Sequence, residues 1–234
     1  MKNLKQLALN LCLKDTASFT NFFIGGNTQL VTVLSNLYTN DAPCFVYFWG
    51  KNSSGKSHLL SALCQLFSEH DLTAAYLPLE NAIQFKVNIL DDLEELDLFC
   101  IDDLHLIAGN LGWEEKIFHS FNKMLAHDKR LVVTANVAPQ ALPLKLLDLQ
   151  SRMIGGLVFE LYSLNDEEKI VSLKLRAKSK GLDLTDNAAN FLLSHYRRDA
   201  QSLFEALNRL DAESLKAQRK LTIPFIKEIL FQEI

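Results

Sequence analysis

The chain has 234 residues, a formal net charge of −4 and a hydrophobic content of 48%. This length allows one large domain, or a domain with a smaller one, and the apolar content is enough for a sizeable core. The acidic balance argues against strong intrinsic nucleic-acid binding, which needs a cationic face. Four cysteines lie far apart, so neither a disulfide framework nor a zinc site is indicated. With no signal peptide and no apolar stretch of transmembrane length, the sequence predicts a soluble, cytoplasmic protein without a membrane partner.

Residues 1–14 precede the globular pattern and are predicted to form a flexible tail. Leucines alternate within the segment Q-L-A-L-N-L at positions 6–11. One interpretation is a loose tail, or a strand added to the edge of a sheet. The other is a short linear motif that docks into an apolar groove of another protein. The residues that would dock are Gln6, Leu7, Leu9 and Leu11.

Residues 17–30 contain several aromatic side chains and a Gly25-Gly26 pair. The glycines interrupt regular structure, and Asn27 or Thr28 is predicted to cap the helix that follows. Phe22 is a candidate to wall the base of a nucleotide bound at the next motif, although packing in an aromatic core is compatible with the same residue.

A phosphate-binding loop is predicted at residues 50–57, which fit G-x-x-x-x-G-K-[ST] at every fixed position. A strand-like run at 45–49 precedes it, and an apolar, helix-forming run at 58–67 follows. In that context the glycines let backbone N–H groups surround phosphate oxygens, and the helix N-terminus adds positive potential. Lys56 is predicted to reach the β- and γ-phosphates and Ser57 to bind Mg²⁺. The candidate nucleotide-binding residues here are Gly50, Asn52, Ser53, Ser54, Gly55, Lys56, Ser57 and His58. The alternative is a Gly/Ser-rich turn that carries a surface lysine.

Polar residues end the next two buried runs of the pattern. The run at 96–101 is followed by Asp102 and Asp103. Asp102 is predicted to bind nucleotide and to hold Mg²⁺ through water or through Ser57, and Asp103 to orient or polarise the attacking water. The run at 130–136 ends in Asn136, a candidate to contact the γ-phosphate or that water. An asparagine that merely starts a loop is an equally good interpretation.

The periodicity predicts two domains after the tail. Strands at 45–49, 73–79, 96–101, 130–136 and 157–161 alternate with helices, which indicates an α/β domain over residues 15–163 with a five-stranded parallel sheet between helices. A basic segment with two glycines, at 151–156, is expected to be a loop. From residue 164 to 234 only helices follow, beginning near 166, 182, 200 and 224, which predicts an all-helical lid.

This series of motifs resembles the AAA+ ATPase core. The aromatic segment at 18–27 and Ile101-Asp102-Asp103 resemble the bacterial DnaA family. The Q-L-x-L-x-L motif in front, the end of the chain after the lid, and A-Q-R-K-L-T-I-P-F-I-K-E-I-L at 217–230 resemble the Hda family of DnaA-related regulators.

That resemblance implies a negative regulator of DNA replication initiation. Hda-type proteins bind ADP or ATP with Mg²⁺, attach to the β sliding clamp of DNA polymerase III, and promote hydrolysis of ATP held by DnaA. The implied arginine finger is Arg152, which by its residue type alone would be a surface arginine in a salt bridge. The expectation is a regulatory nucleotide-binding protein more than an efficient ATPase, with self-association left open. The alternative is an autonomous AAA+ ATPase of the DnaA or helicase-loader type. A DNA-binding initiator is disfavoured by the acidic balance and by the absence of a C-terminal reader domain.

Two positions depart from the family pattern. Gln201 stands where AAA+ lids usually carry a sensor arginine, with Arg197 and Arg198 one turn earlier. The phosphate loop is complete, whereas proteins of the Hda family can carry a degenerate one, and the second acid is present as Asp103. Both features favour retained ATP binding.

Overall fold

The computed structural model describes residues 17–82, 90 and 93–231. The predicted docking motif at 6–11 lies outside these residues. The chain divides into two compact units, the first ending at Tyr162 and the second beginning at Ser163.

The first unit is built on a five-stranded, fully parallel sheet with the strand order β2-β3-β4-β1-β5. Each strand begins and ends within two residues of its predicted bounds, so the predicted parallel sheet is confirmed. The strands are β1 Phe45–Trp49, β2 Ala74–Pro78, β3 Leu98–Asp102, β4 Arg130–Ala135 and β5 Leu157–Glu160.

Helices cover both faces of this sheet, and alternate strand residues therefore enter different apolar clusters. In β1, Phe45 and Tyr47 belong to one cluster, whereas Val46 and Phe48 belong to the other. The helices of this unit are α1 Thr28–Ser35, α2 Lys56–Glu69, α3 Leu79–Ala82, α4 Leu111–Ala126 and α5 Leu147–Ile154. Leucines of α2 pack into the cluster with Phe48, and apolar residues of α4 pack into the cluster with Tyr47.

The predicted loop at 151–156 is wrong for its first four residues, because they form the second half of α5. Leu149 and Met153, four residues apart, are both fully buried on one face of this short helix. Gly155 ends the helix in a right-handed conformation, with a φ of −75°. Arg152 therefore projects from a helix and not from a glycine-rich loop.

The helix that follows the Gly25-Gly26 pair begins at Thr28, with Asn27 at the N-cap as predicted, but the Asn27 side chain does not cap it. Its amide instead accepts from the Tyr162 backbone N–H at 2.8 Å and donates to the Tyr162 carbonyl at 3.1 Å. Asn27 thus ties the aromatic segment to the chain that leaves β5.

The second unit contains the four predicted helices and a separate apolar core. They are α6 Asp166–Ser179, α7 Asp186–His195, α8 Ala200–Ala217 and α9 Ile223–Phe231. Asn165, Thr185 and Asp199 accept backbone N–H groups at the starts of α6, α7 and α8, which fixes where each helix begins. Among the described residues, no helix is both long and apolar enough to cross a membrane.

Candidate functional site

The loop at 50–57 connects the end of β1 to the start of α2, and its glycines are required by close contacts. A Cβ on Gly50 would lie 2.6 Å from the Leu161 carbonyl oxygen. Gly55, at the N-cap of α2, has a φ of +105°, and a Cβ there would lie 2.9 Å from Phe22 Cε2. Any larger residue at these two positions would displace backbone or an aromatic ring.

Lys56 is the first residue of α2, and its ammonium group turns back over the loop. Only 5% of the residue is exposed. Nζ donates to the Gly50 carbonyl at 3.1 Å and to the Lys51 carbonyl at 3.4 Å, and lies 3.5 Å from Asp103 Oδ1. The lysine thereby links the loop to the second of the two acids after β3.

Asp102, at the end of β3, is almost completely buried and accepts hydrogen bonds from three hydroxyl groups. Ser57 Oγ and Tyr76 OH donate to Oδ2 at 2.5 and 2.8 Å, and Thr134 Oγ1 donates to Oδ1 at 2.5 Å. Burial, followed by the charge of Asp102, raises the pKa of Tyr76 well above its usual range. Ser57 and Asp102 lie close together, as predicted. Hydroxyl groups from β2 and β4, the strands on either side of β3, hold the Asp102 carboxylate in place as well.

Asp103 turns away from the strand in a left-handed conformation, with a φ of +59°. Its backbone N–H donates to Thr134 Oγ1 at 3.0 Å. Burial and the neighbouring Asp102 charge raise the pKa of the Asp103 carboxyl, while Lys56 and His105 oppose that rise. A non-glycine residue in this region of φ/ψ space is a local strain of a kind that clusters at functional sites.

His105 joins the second acid to the end of β4. Its Nδ1 lies 3.9 Å from Asp103 Oδ1 and accepts the Asn136 backbone N–H at 3.3 Å. Burial lowers the pKa of His105, and the Asp103 charge offsets part of that effect. Asn136 therefore lies next to His105, held there by its backbone N–H, and its side chain is exposed. Its contact with the γ-phosphate or the attacking water stays a prediction.

Tyr76, Thr134 and His105 are the residues of this site that the sequence did not single out. Tyr76 and Thr134 lie near the carboxyl ends of β2 and β4, where a hydroxyl can reach the end of β3. The signal that could have identified them is a hydroxyl residue near the end of a strand that neighbours the acidic one. His105 lies only two residues beyond Asp103 in the sequence, and this short spacing could have identified it as a residue of the site.

Phe22 and His58 flank the same loop. The Phe22 ring packs on Gly55, and its centroid lies 5.7 Å from that of His58. His58 Nε2 is 3.2 Å from the Ser18 carbonyl oxygen. Together they join the 18–22 segment to the start of α2.

The loop fits a phosphate group. The Ser54 hydroxyl is buried without a hydrogen-bond partner among the described residues, so the loop has an unused polar atom. The first N–H groups of α2 lack intrahelical acceptors, as at every helix start. Mg²⁺ usually takes one or two protein oxygen ligands and completes its shell with water and phosphate, and Ser57 with Asp102 supplies that kind of oxygen. No cluster of three or more metal-ligating His, Cys, Asp or Glu residues occurs in the described part of the chain.

Arg152 lies on the exposed surface of α5. Its Cζ atom is 5.9 Å from the centroid of the Phe121 ring. Within residues 17–82, 90 and 93–231 the guanidinium makes no hydrogen bond or ion pair, so the salt-bridge interpretation is not supported there. In the second unit, Gln201 lies in the first turn of α8 and donates to Glu205 Oε1 at 2.9 Å.

Comparison with known proteins agrees with this architecture. Residues 13–160 match the family described as the bacterial DnaA ATPase domain, and residues 166–230 match the family described as the Hda lid domain. Domain III of the Thermotoga maritima replication initiation protein DnaA aligns with 92% of this chain and 95% of its own, at 20% identity and a TM-score of 0.75.

Two further structures share the fold. AMPPCP-bound DnaA from Aquifex aeolicus aligns over 88% of this chain and 68% of its own, at 20% identity and a TM-score of 0.72. The Thermotoga maritima RuvB Holliday junction branch migration motor aligns over 87% of this chain and 66% of its own, at 16% identity and a TM-score of 0.63. The predicted AAA+ fold, with a parallel sheet and a helical lid, is confirmed.

Proposed function

This chain belongs to the bacterial DnaA ATPase domain family, with a lid of the Hda type, and we propose that it is a nucleotide-bound negative regulator of replication initiation. In this proposal it binds the β sliding clamp of DNA polymerase III. It acts on DnaA by supplying Arg152 in trans to the ATP that DnaA holds.

The ligand that we assign to the loop at 50–57 is ADP or ATP with Mg²⁺. The loop amides and Lys56 would hold the phosphates, while Ser57, backed by Asp102, would hold the metal ion. Bound Mg²⁺ neutralises phosphate charge. Phe22 and His58 lie beside the same loop, where they can wall the nucleotide. The orphaned Ser54 hydroxyl and the glycine-dependent shape of the loop support this assignment.

The observation that carries the regulatory proposal is the exposed guanidinium of Arg152. Among the described residues it lies over the face of Phe121, and no carboxylate neutralises its charge. A guanidinium presented in this way can enter the site of another protein and stabilise charge that develops on a transferring phosphoryl group. Such a finger contributes roughly three to five orders of magnitude in rate.

The test is hydrolysis of labelled ATP bound to DnaA, in the presence of clamp-loaded DNA and the purified chain. Arg152→Ala is expected to abolish the stimulation while binding of ADP and of the clamp stays unchanged. Arg209→Ala, which removes an exposed arginine from the lid, serves as the control and should stimulate normally. Full stimulation by Arg152→Ala would refute the finger assignment.

The clamp tether rests on the sequence of residues 6–11, which lie outside the described part of the chain. Gln6→Ala combined with Leu7→Ala should abolish retention on immobilised clamp. Asn10→Ala changes a position between the docking residues and should leave retention intact. Equal retention of both variants would rule out this motif as the tether.

A second candidate function is autonomous ATP hydrolysis, and one observation favours it. Lys56, Asp102 and Asp103 are all present, with the Lys56 ammonium 3.5 Å from Asp103. Asp103 would then orient the attacking water, and Asn136 would contact it or the γ-phosphate. Steady-state ATP hydrolysis by the isolated chain, lost in Lys56→Ala, would support this function, and no turnover would exclude it.

A further inference from the structure

The carboxylate of Glu114, in the first turn of α4, is completely buried and accepts three backbone hydrogen bonds. Gly109 N–H donates to Oε1 at 2.7 Å, while the N–H groups of Lys145 and Leu146 donate to Oε2 at 2.9 and 2.7 Å. Burial of a carboxylate is costly unless such donors compensate for the lost water. A residue with this arrangement therefore holds the two backbone segments that donate to it.

One of those segments is the entrance to α5. Lys145 and Leu146 immediately precede the helix, and Leu146 occupies its N-cap position. A leucine side chain has no acceptor for the free N–H groups at a helix start. The Glu114 carboxylate instead fixes the two residues that lead into α5, and its negative charge lies near the positive end of the helix dipole.

The same helix contacts α5 a second time, near Arg152. Phe121 follows Glu114 by seven residues, so both side chains lie on one face of α4. The Arg152 Cζ atom lies 5.9 Å from the Phe121 ring centroid. Since α5 is only eight residues long, these two contacts of α4 constrain both its start and the turn that carries Arg152.

We propose that Glu114 is a positioning residue for Arg152. It acts by fixing the start of α5, and so the direction in which the guanidinium projects. This inference rests on the proposed function, in which Arg152 reaches ATP held by DnaA. A misplacement of about 1 Å in a group that stabilises a transition state can cost roughly a hundredfold in rate.

The test compares Glu114→Gln with Glu115→Gln, the same change at the adjacent, exposed residue. Glu114→Gln removes the negative charge, and its NH₂ group must face either the Gly109 N–H or the N–H groups of Lys145 and Leu146. At least one anchor is therefore lost, and the remaining N–H groups bond to a neutral oxygen, which accepts more weakly. We expect the maximal rate of stimulated DnaA-ATP hydrolysis to fall by about ten- to a hundredfold. Affinity of the chain for ADP should not change, and Glu115→Gln should behave as wild type. Hydrogen exchange should accelerate in Glu114→Gln alone, either at the Gly109 amide or at the Lys145 and Leu146 amides, according to which N–H groups the NH₂ group faces.

A double-mutant comparison separates positioning from a general loss of stability. Because Arg152→Ala leaves no stimulation to lose, the comparison uses Arg152→Lys, which keeps the positive charge but not the planar guanidinium. If Glu114 acts through Arg152, the fold-loss caused by Glu114→Gln should be much smaller in the Arg152→Lys background than in the wild-type background. An equal fold-loss in both backgrounds, or normal stimulation by Glu114→Gln in the wild-type background, would overturn the inference.

If Glu114→Gln does not fold, the milder variant Glu114→Asp takes its place in the test. This variant keeps the charge but shortens the side chain, and it should give an intermediate rate of stimulated hydrolysis. A wild-type rate for a folded Glu114→Asp with exchange at 145–146 unchanged would count against the inference. Full stimulation by Arg152→Ala would instead refute the proposed function, and this inference with it. Loss of stimulation in Arg152→Ala with none in Glu114→Gln would refute the positioning role alone.

Discussion

At the scale of single residues, the neighbouring Gly155 and Gly156 are required to very different degrees. Gly155 has an ordinary right-handed conformation, and a Cβ added there would make only ordinary contacts, the nearest 3.5 Å from the Ser151 carbonyl oxygen. A Cβ on Gly156 would overlap the ring of Phe45, which is buried and packs edge-on against Phe121. The second glycine therefore serves packing between β5 and β1.

We predict that Gly156→Ala destabilises the protein by about 1–3 kcal/mol, because the methyl group forces the Phe45 ring out of its place. Gly155→Ala is the matched control and should change stability by less than about 0.5 kcal/mol. Urea unfolding followed by circular dichroism measures both. Replacing Phe45 by leucine in the Gly156→Ala background should recover part of the loss, and equal stabilities for the two alanine variants would contradict the packing argument.

The environment of His105 gives a second prediction at this scale, which concerns the pH dependence of stability. Its Nδ1 accepts the Asn136 backbone N–H, so this nitrogen carries no proton in the folded state, and burial lowers the pKa of the ring. The unfolded chain, with the ordinary pKa of 6.5, therefore takes up a proton at higher pH than the folded protein does. Protonation of this residue favours unfolding.

We therefore predict that His105 reduces the free energy of unfolding as the pH falls below 6.5. The reduction continues until the pH reaches the lower pKa that His105 has in the folded protein. His105→Gln keeps an acceptor for the Asn136 N–H but cannot be protonated. Its unfolding free energy should fall less steeply than that of wild type in this window. Thermal unfolding across the pH range measures the slope, and His119→Gln, at an exposed position, should retain the wild-type slope. An unchanged slope in His105→Gln would refute the prediction.

At the scale of elements, the sequence predicted those features that depend on local pattern. The run from Phe45 to Trp49 is β-branched and aromatic, and the strand has these bounds. The second half of helix α5 was predicted as a loop because two glycines follow it, whereas its burial depends only on Leu149 and Met153. The Tyr76 and Thr134 hydroxyl groups beside Asp102 were missed for a different reason. They come from strands that are neighbours in the sheet, and strand order is a tertiary property that spacing along the chain does not encode.

Thr134 shows how that strand order fixes the candidate site. Its hydroxyl donates to Asp102 Oδ1 and accepts the Asp103 backbone N–H, so one β4 side chain holds both acids at the end of β3. The residue itself is fully buried. The left-handed turn at Asp103 is thus supported from the adjacent strand.

Thr134→Val preserves shape but removes both hydrogen bonds. We predict a loss of about 1–3 kcal/mol in unfolding free energy, since an Asp102 oxygen and the Asp103 N–H lose a buried partner. Calorimetric titration with ADP and Mg²⁺ should also show weaker Mg²⁺-dependent binding, because Asp102 is no longer held beside Ser57. Thr32→Val, at an exposed site on α1, is the control for the change of side chain. Unaltered stability in Thr134→Val would mean that the two acids are held by other contacts.

At the scale of the whole molecule, each unit has its own apolar core, with two clusters in the first unit and a separate one in the second. The core of the second unit is made of residues from Leu173 to Ile226, and the side-chain caps of α6, α7 and α8 also come from that unit. A unit with a complete core and its own helix starts has what independent folding requires. Its small size limits how stable it can be, because a short chain buries a smaller share of its surface.

We predict that residues 163–234, produced alone, fold cooperatively into a helical domain with a stability of only a few kcal/mol. Leu192, fully buried in α7, should be essential, since Leu192→Ala is expected to cost about 2–5 kcal/mol and to abolish the urea transition. Leu215→Ala removes an equal volume from a side chain that is 81% exposed and should leave the transition in place. ADP with Mg²⁺ should not shift this transition, because the phosphate loop lies in the other unit. A broad, non-cooperative loss of helix in the wild-type fragment would show that the lid needs the first unit to fold.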